Sequence, residues 1–267
     1  MRVTPIKSYD SPRLPTHAAF EAHPELLRYI PKRWQHNPVV LSALAGLCVI
    51  VSGCGKGGAK LPPSRVAPIF VHGDGRGGFG CVAVNPPVLL SEAEARQVIA
   101  EEAKRAGINF TPTSRRMEVR VPITTSMPGR DSSRTRRGVV VLDGHDKRKH
   151  ISYEFVSSKD FDSWEKRGLL DTFYRTTASS RDILGAAETL RESLANAGPS
   201  GAYAVFYDPC CGPRDVNPKY KPFPQHPDTD YKAWRAKWQA RTKDLARDEL
   251  RAQVRDFIKW LKAQGVI

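Results

Sequence analysis

"AYAVFYDP", Ala202 to Pro209, is the stretch around which the rest of the chain arranges itself. Six apolar or aromatic residues in a row, Ala202 to Tyr207, predict a short central strand, because strands covered on both faces lose the alternation of half-buried ones. Before it, residues 181–197 set Ile183, Leu184, Ala187, Leu190 and Leu194 at helical spacing, and Gly198-Pro199 stops that helix. After it, the Pro-rich "NPKYKPFPQHPDTD" predicts a loop. A last helix of roughly 35 residues follows, with Trp234, Trp238, Leu245, Leu250, Val254, Phe257, Ile258 and Leu261 as its apolar stripe.

Upstream, "RVAPIFVHG" reads as a short strand that Pro68 confines to an edge or a strand start, and "CVAV" as another, stopped by Asn85-Pro86-Pro87. Ser91 with Glu94 three residues on is a capping box, opening a helix that buries Ala95, Val98, Ile99 and Ala103 and ends at Gly107. "RRMEVRVPI" alternates as a half-buried strand does. "GVVVLDGHDKRKHISYEFVSS" predicts a hairpin, its two apolar runs flanking Asp143-Gly144 and a charged tip. Together these predict an α+β fold, a mainly antiparallel sheet with flanking helices and a long C-terminal helix, without internal repeats.

The 267 residues are 40% hydrophobic and 26% charged, enough for one large domain or two small ones, and carry a formal charge of +14. That surplus favours anionic partners and says nothing of chemistry. Most of it lies after residue 53, since residues 1–53 hold six Lys/Arg against three Asp/Glu.

Between Val39 and Val51 runs "VVLSALAGLCVIV", thirteen uncharged residues. A bilayer needs about 20 helical residues and a secretory h-region about 7 to 15, so the length predicts a signal peptide. Lys32, Arg33 and His36 supply its basic flank, behind a long n-region. Val51-Ser52-Gly53-Cys54 follows directly. This resembles the lipobox of bacterial lipoproteins: an aliphatic residue, two small ones and a Cys. The resemblance implies that Cys54 becomes the lipidated first residue of a mature, extracytoplasmic protein anchored in the cell membrane or outer membrane. The expected organisation is a signal peptide over 1–53, a flexible Gly/Lys/Pro-rich tether over 54–64, and one α+β domain over 65–267.

With Cys48 removed and Cys54 lipidated, Cys81, Cys210 and Cys211 remain. An exported location permits one disulfide among them, Cys81 to Cys210 or Cys211 or the adjacent pair, or else buried thiols. A sharper alternative gathers His72, Cys81, Cys210 and Cys211 into a soft-metal or thiol-redox site. No C-x-x-C or H-x-x-x-H spacing supports it, so no metal or cofactor is assigned. Cys81 as nucleophile with His72 as base, and Asp208 at the end of the central strand, are the catalytic candidates.

"VHGDGRGGFGC", Val71 to Cys81, contains a literal G-x-G-x-x-G. A dinucleotide fingerprint needs a helix starting there, with its N–H groups aimed at phosphate. Here an extended "VAVNPP" follows and the helix waits until Ser91, so a glycine turn is expected and no nucleotide.

Arg115, Arg116, Arg130, Arg134, Arg136 and Arg137 form the densest basic run. No groove-reading helix or stacking platform accompanies them, so no nucleic acid is expected. Anionic lipid or a cell-wall polymer is the expected counter-charge, with Arg115, Arg116, Arg134, Arg136 and Arg137 as the anion-binding candidates. The resulting expectation is a membrane-anchored binding or interaction module. The alternative is an envelope enzyme, hydrolase or thiol oxidoreductase, with its site near His72, Cys81 and Cys210.

Overall fold

A computed structural model describes residues 65–79, 85–125, 134–165, 179–224, 226 and 228–267, which fall within the compact unit Lys60–Ile267. The lipobox, the tether, the expected "CVAV" strand, Cys81 and Arg130 lie outside the described residues. In chain order the elements are β1 (Arg65–Val66), β2 (Arg76–Phe79), α1 (Glu92–Arg105), β3 (Arg116–Pro122), β4 (Thr135–Val141), β5 (Gly144–Asp146) and β6 (Ile151–Val156). Then come α2 (Ser158–Trp164), β7 (Ser179–Asp182), α3 (Ile183–Ala197), β8 (Ala202–Tyr207), α4 (Pro213–Val216) and α5 (Tyr231–Ala263). The fold class is α+β, with a 33-residue C-terminal helix.

The four-stranded sheet has the order β1-β8-β6-β5, so "AYAVFY" is an inner strand, buried at every residue. It pairs in parallel with both neighbours, Arg65↔Ala202 on one side and Ile151↔Ala202 on the other. The remaining strand pairs, β5·β6, β2·β7 and β3·β4, are antiparallel. Parallel strands need covering on both faces, and residue parity along β8 supplies this. Ala202, Ala204 and Phe206 enter one core with α1 and α5. Tyr203, Val205 and Tyr207 enter a second with α2, α3 and the β3–β4 ribbon.

The first core carries an aromatic column. Phe110 meets Tyr153 edge-on at 4.7 Å, Tyr153 meets Phe206 at 5.7 Å, and Phe206 meets Phe257 at 5.7 Å. It ties a loop, two strands and α5 together at about 0.5–1.5 kcal/mol per pair beyond burial. Glu92–Arg105 is a helix for the reason its sequence gives. Ser91 accepts from the Glu94 N–H, and the Glu94 carboxylate accepts from Ser91 N–H at 3.0 Å. Asp182 caps α3, and Gly198 closes it at φ 59°.

The expected hairpin over 138–158 is corrected. Residues 135–141 pair with β3 over seven positions, Arg116↔Val141 to Pro122↔Thr135. The antiparallel partner of β6 is the three-residue β5, from within the expected turn. Two alternating strands of equal length satisfy more cross-strand pairs together than either does with the fully buried β6. The charged tip does turn the chain. There Asp146 Oδ1 accepts from the N–H groups of Arg148 and Lys149 at 3.0 and 3.1 Å.

Candidate functional site

The loop around Gly73 and Gly75 docks on the end of β8. Both glycines take positive φ, 75° and 59°. A Cβ on Gly73 would lie 2.6 Å from Pro209 Cβ, and one on Gly75 would lie 2.6 Å from Leu184 Cβ, so close approach as well as φ demands glycine. Gly75 N–H donates to Pro209 O at 3.0 Å. The Gly75 carbonyl accepts from Ile183 and Leu184 N–H at 2.8 and 3.2 Å. The first turn of α3 is therefore occupied by the loop's own carbonyl and by Asp182, which accepts from Gly185 N–H and from Arg76 Nε. The segment after Gly75 is strand β2, paired with β7.

His72 is held where loop, strand and C-terminal helix meet. Its Nε2 lies 2.9 Å from Asp256 Oδ2 and its Nδ1 3.7 Å from Glu249 Oε2. Its backbone N–H donates to the Tyr207 hydroxyl at 2.9 Å, and that hydroxyl lies 2.9 Å from the carbonyls of His72 and Gly73. Buried Gln253 accepts from Tyr207 N–H and donates to Tyr207 O, extending the strand's hydrogen bonding with a side chain. Burial opposes an ionised Asp256, yet Lys259 and His72 hold its carboxyl below the usual range. The arrangement fastens α5 to the end of β8. Asp256, Gln253 and Tyr207 were not expected from sequence; Gln253 and Asp256 stand amid the apolar stripe of α5, and a polar residue in such a stripe is the signal that marks them.

Asp208 is fully buried, its two oxygens accepting from Leu90 N–H at 2.7 Å and Cys210 N–H at 2.9 Å. Burial pushes its carboxyl up to about 6. It pins the segment that precedes α1 to the end of β8, the work of a structural group.

Cys210 and Cys211 are free, buried thiols, and the glycine loop reaches them: a Cβ on Gly77 would lie 3.6 Å from Cys210 Cβ. Burial raises the Cys210 thiol well above its ordinary value and pushes Cys211 up to about 12. Nucleophilic cysteines carry the opposite shift. Among the described residues no group of three or more His, Cys, Asp and Glu is placed to hold a metal ion.

The arginine candidates separate. The Arg115 guanidinium lies 5.5 Å over the Tyr203 ring, Arg136 reaches Ser163 O at 3.4 Å, and Arg134 is exposed ahead of β4. Arg116 and Arg137 are exposed on the outer face of the β3–β4 ribbon, and the register sets Arg120 directly opposite Arg137. Arg120, which the expected anion-binding set lacks, belongs to this face because strand parity puts it with Arg116. It is oriented by Thr135, donating to Oγ1 at 2.7 Å and to the carbonyl oxygen at 3.3 Å. Neither the Arg116 nor the Arg137 guanidinium has a hydrogen-bonded or ionic partner among the described residues. Glu118 is the ribbon's one carboxylate.

Beside that face lies an open groove of about 780 Å³, lined by Glu118, Arg120, Arg137 and Val139 of the ribbon and by Ser193 and Asn196 near the end of α3. Like charges directly opposite in a ladder repel. An anion between Arg120 and Arg137 relieves that repulsion, and Ser193 and Asn196 add hydroxyl and amide groups suited to a polyol.

No protein-family model matches the chain, and no curated protein or solved structure is significantly similar to it. No helix among the described residues is long and apolar enough to cross a membrane.

Proposed function

We propose that the chain is an envelope lipoprotein anchored through Cys54, whose folded part is a binding module for a phosphate-bearing anionic polymer of the cell envelope. The observation that carries the ligand class is the cross-strand pair Arg120↔Arg137 at the rim of the 780 Å³ groove. Val51-Ser52-Gly53-Cys54 after a thirteen-residue apolar run supports the anchor. A polymer suits an open groove lined by both polar and apolar groups better than a bilayer surface does, since a flat membrane does not fill a cleft. The enzyme alternative finds less support, because the described thiols are buried with raised pKa values and Asp208 is spent on two backbone N–H groups.

Growth with radiolabelled palmitate, followed by fractionation of wild type and Cys54→Ala, tests the anchor. Label and membrane association in wild type, both lost in the variant, are expected; unlabelled, soluble wild type contradicts the anchor. Titration with polyglycerol phosphate and with phosphatidylglycerol vesicles tests the ligand. Saturable binding of the polymer is expected, and binding of vesicles alone overturns the polymer reading.

A further inference from the structure

A second cavity, of about 270 Å³, lies among α1, α2 and the bend between β4 and β5, and its lining is acidic. Glu92 and Arg96 reach it from α1, Asp143 from the bend, Glu154 from β6, and Lys159 and Asp160 from α2. The two cations stand beside carboxylates already: Arg96 Nη1 is 3.8 Å from Asp143 Oδ1, and Lys159 Nζ is 3.3 Å from Glu92 Oε1. Asp160 is engaged by Ser157, accepting from its N–H at 2.9 Å and its hydroxyl at 2.6 Å.

Glu154 is the exception. It is 4% exposed, and parity along β6 turns it away from Ile151, Tyr153 and Phe155, which fill the first core. Its Oε2 is buried without a hydrogen-bond partner. A buried polar atom left so is destabilising, and a donor entering the cavity removes that cost. Four carboxyl groups against two cations also leave the cavity a net acceptor of positive charge.

We propose that this cavity binds a compact organic cation, a primary ammonium or guanidinium head, with Glu154 and Asp143 as its counter-ions. The volume corresponds to roughly nine waters' share of liquid, room for a side-chain-sized amine and too little for a nucleotide. The described carboxylates do not converge as metal ligands, whereas N–H donors on a flat or tetrahedral head reach acceptors on separate walls. Burial, with Asp143 and Asp160 nearby, raises the Glu154 carboxyl well above its usual range, and burial brings Asp143 up to about 6. Burial thus favours the protonated form of Glu154, against the Asp143 backbone N–H that favours its carboxylate, and a cation that enters favours the carboxylate further. The carboxyl proton passes to buffer as the ammonium or guanidinium, itself unchanged, takes its place. Binding is therefore accompanied by proton release and tightens as pH rises through the titration of Asp143.

Calorimetric titration of the full chain with agmatine and with butylamine, at pH 5.5 and 7.5 in two buffers of different ionisation enthalpy, tests this. Saturable binding is expected, tighter at pH 7.5 by at least threefold, with proton release shown by the buffer dependence. Glu154→Gln, a near-isosteric neutral replacement, is expected to weaken it at least tenfold and to abolish the release at pH 7.5, where Asp143, with its pKa of about 6, is already ionised. Asp143→Asn, nearer the cavity mouth, gives a second variant and should weaken it severalfold. Absence of saturable binding in folded wild type overturns the proposal, as does unchanged affinity in Glu154→Gln. Glu154-dependent stabilisation by calcium chloride with none by either amine overturns it in favour of a metal.

Discussion

Asp208 was a site candidate by position, at the carboxyl end of the central strand, and its surroundings make it a structural group. Both oxygens accept from backbone N–H groups in a fully buried setting. Its folded pKa of about 6 exceeds the ordinary 3.8 because burial penalises the charge. The folded state therefore binds this proton more tightly than the unfolded chain does. The associated stability is fully present below the ordinary value and is lost as pH rises through about 6. Asp208→Ala leaves Leu90 and Cys210 N–H without their acceptor and should cost about 1–3 kcal/mol at pH 5. Urea midpoints across pH 4–7 check this: the variant should also lose part of the wild-type decline with rising pH, and an unchanged slope contradicts the assignment. The hydrogen-bonding role was illegible in sequence, because the partner Leu90 lies 118 residues away. His72 presents the same case, since its partners on β8 and α5 are joined to it only by the fold.

Among the elements, those set by local chemistry were the legible ones. Ser91 and Glu94 mark the start of α1, Gly198 the end of α3, and six apolar residues mark β8 as an inner strand. Partner choice was harder to read. Val139 to Val141 looked like half of a hairpin with residues 151–155, yet β4 pairs with β3 and leaves Val139 and Val141 42% and 46% exposed. Alternation tells which face is buried and does not tell which strand lies alongside. The same ambiguity hid Arg120, whose importance follows only from its register with Arg137. The long helix α5 divides by burial. From Thr242 onward it packs on α1 and the sheet, with Leu250, Val254 and Phe257 fully buried. Its first three turns instead meet a loop, where Trp234 stacks on Tyr220 at 5.5 Å and Trp238 meets the same ring edge-on at 5.1 Å. Trp238→Ala should therefore loosen residues 217–230 selectively, at about 1–2 kcal/mol. Hydrogen exchange there is expected to quicken while amides of β8 stay protected; equal loss of protection in β8 would show the helix to be one cooperative unit.

At the scale of the molecule, the described domain places opposite charges in separate sites. Arg116, Arg120 and Arg137 share one open face with Glu118, whereas Glu92, Asp143, Glu154 and Asp160 share a cavity with Arg96 and Lys159. The +14 surplus of the sequence favours anionic surroundings in general, and only the geometry picks out a seat for an anion. Screening provides the means to separate the two effects. Diffuse attraction to a basic protein weakens with salt wherever single charges are removed. A seat between two facing guanidinium groups depends on those two above all.

The most direct measurement is the affinity of the full chain for polyglycerol phosphate between about 50 and 200 mM salt, compared with Arg120→Ala/Arg137→Ala and with a control that removes two exposed lysines, Lys147→Ala/Lys262→Ala. Each contacted phosphate steepens the fall of log affinity with log salt. The arginine variant is predicted to bind at least tenfold more weakly and with a shallower slope, while the lysine control stays within twofold of wild type. Equal losses in the two variants would contradict the account, leaving net charge rather than the groove as the source of binding.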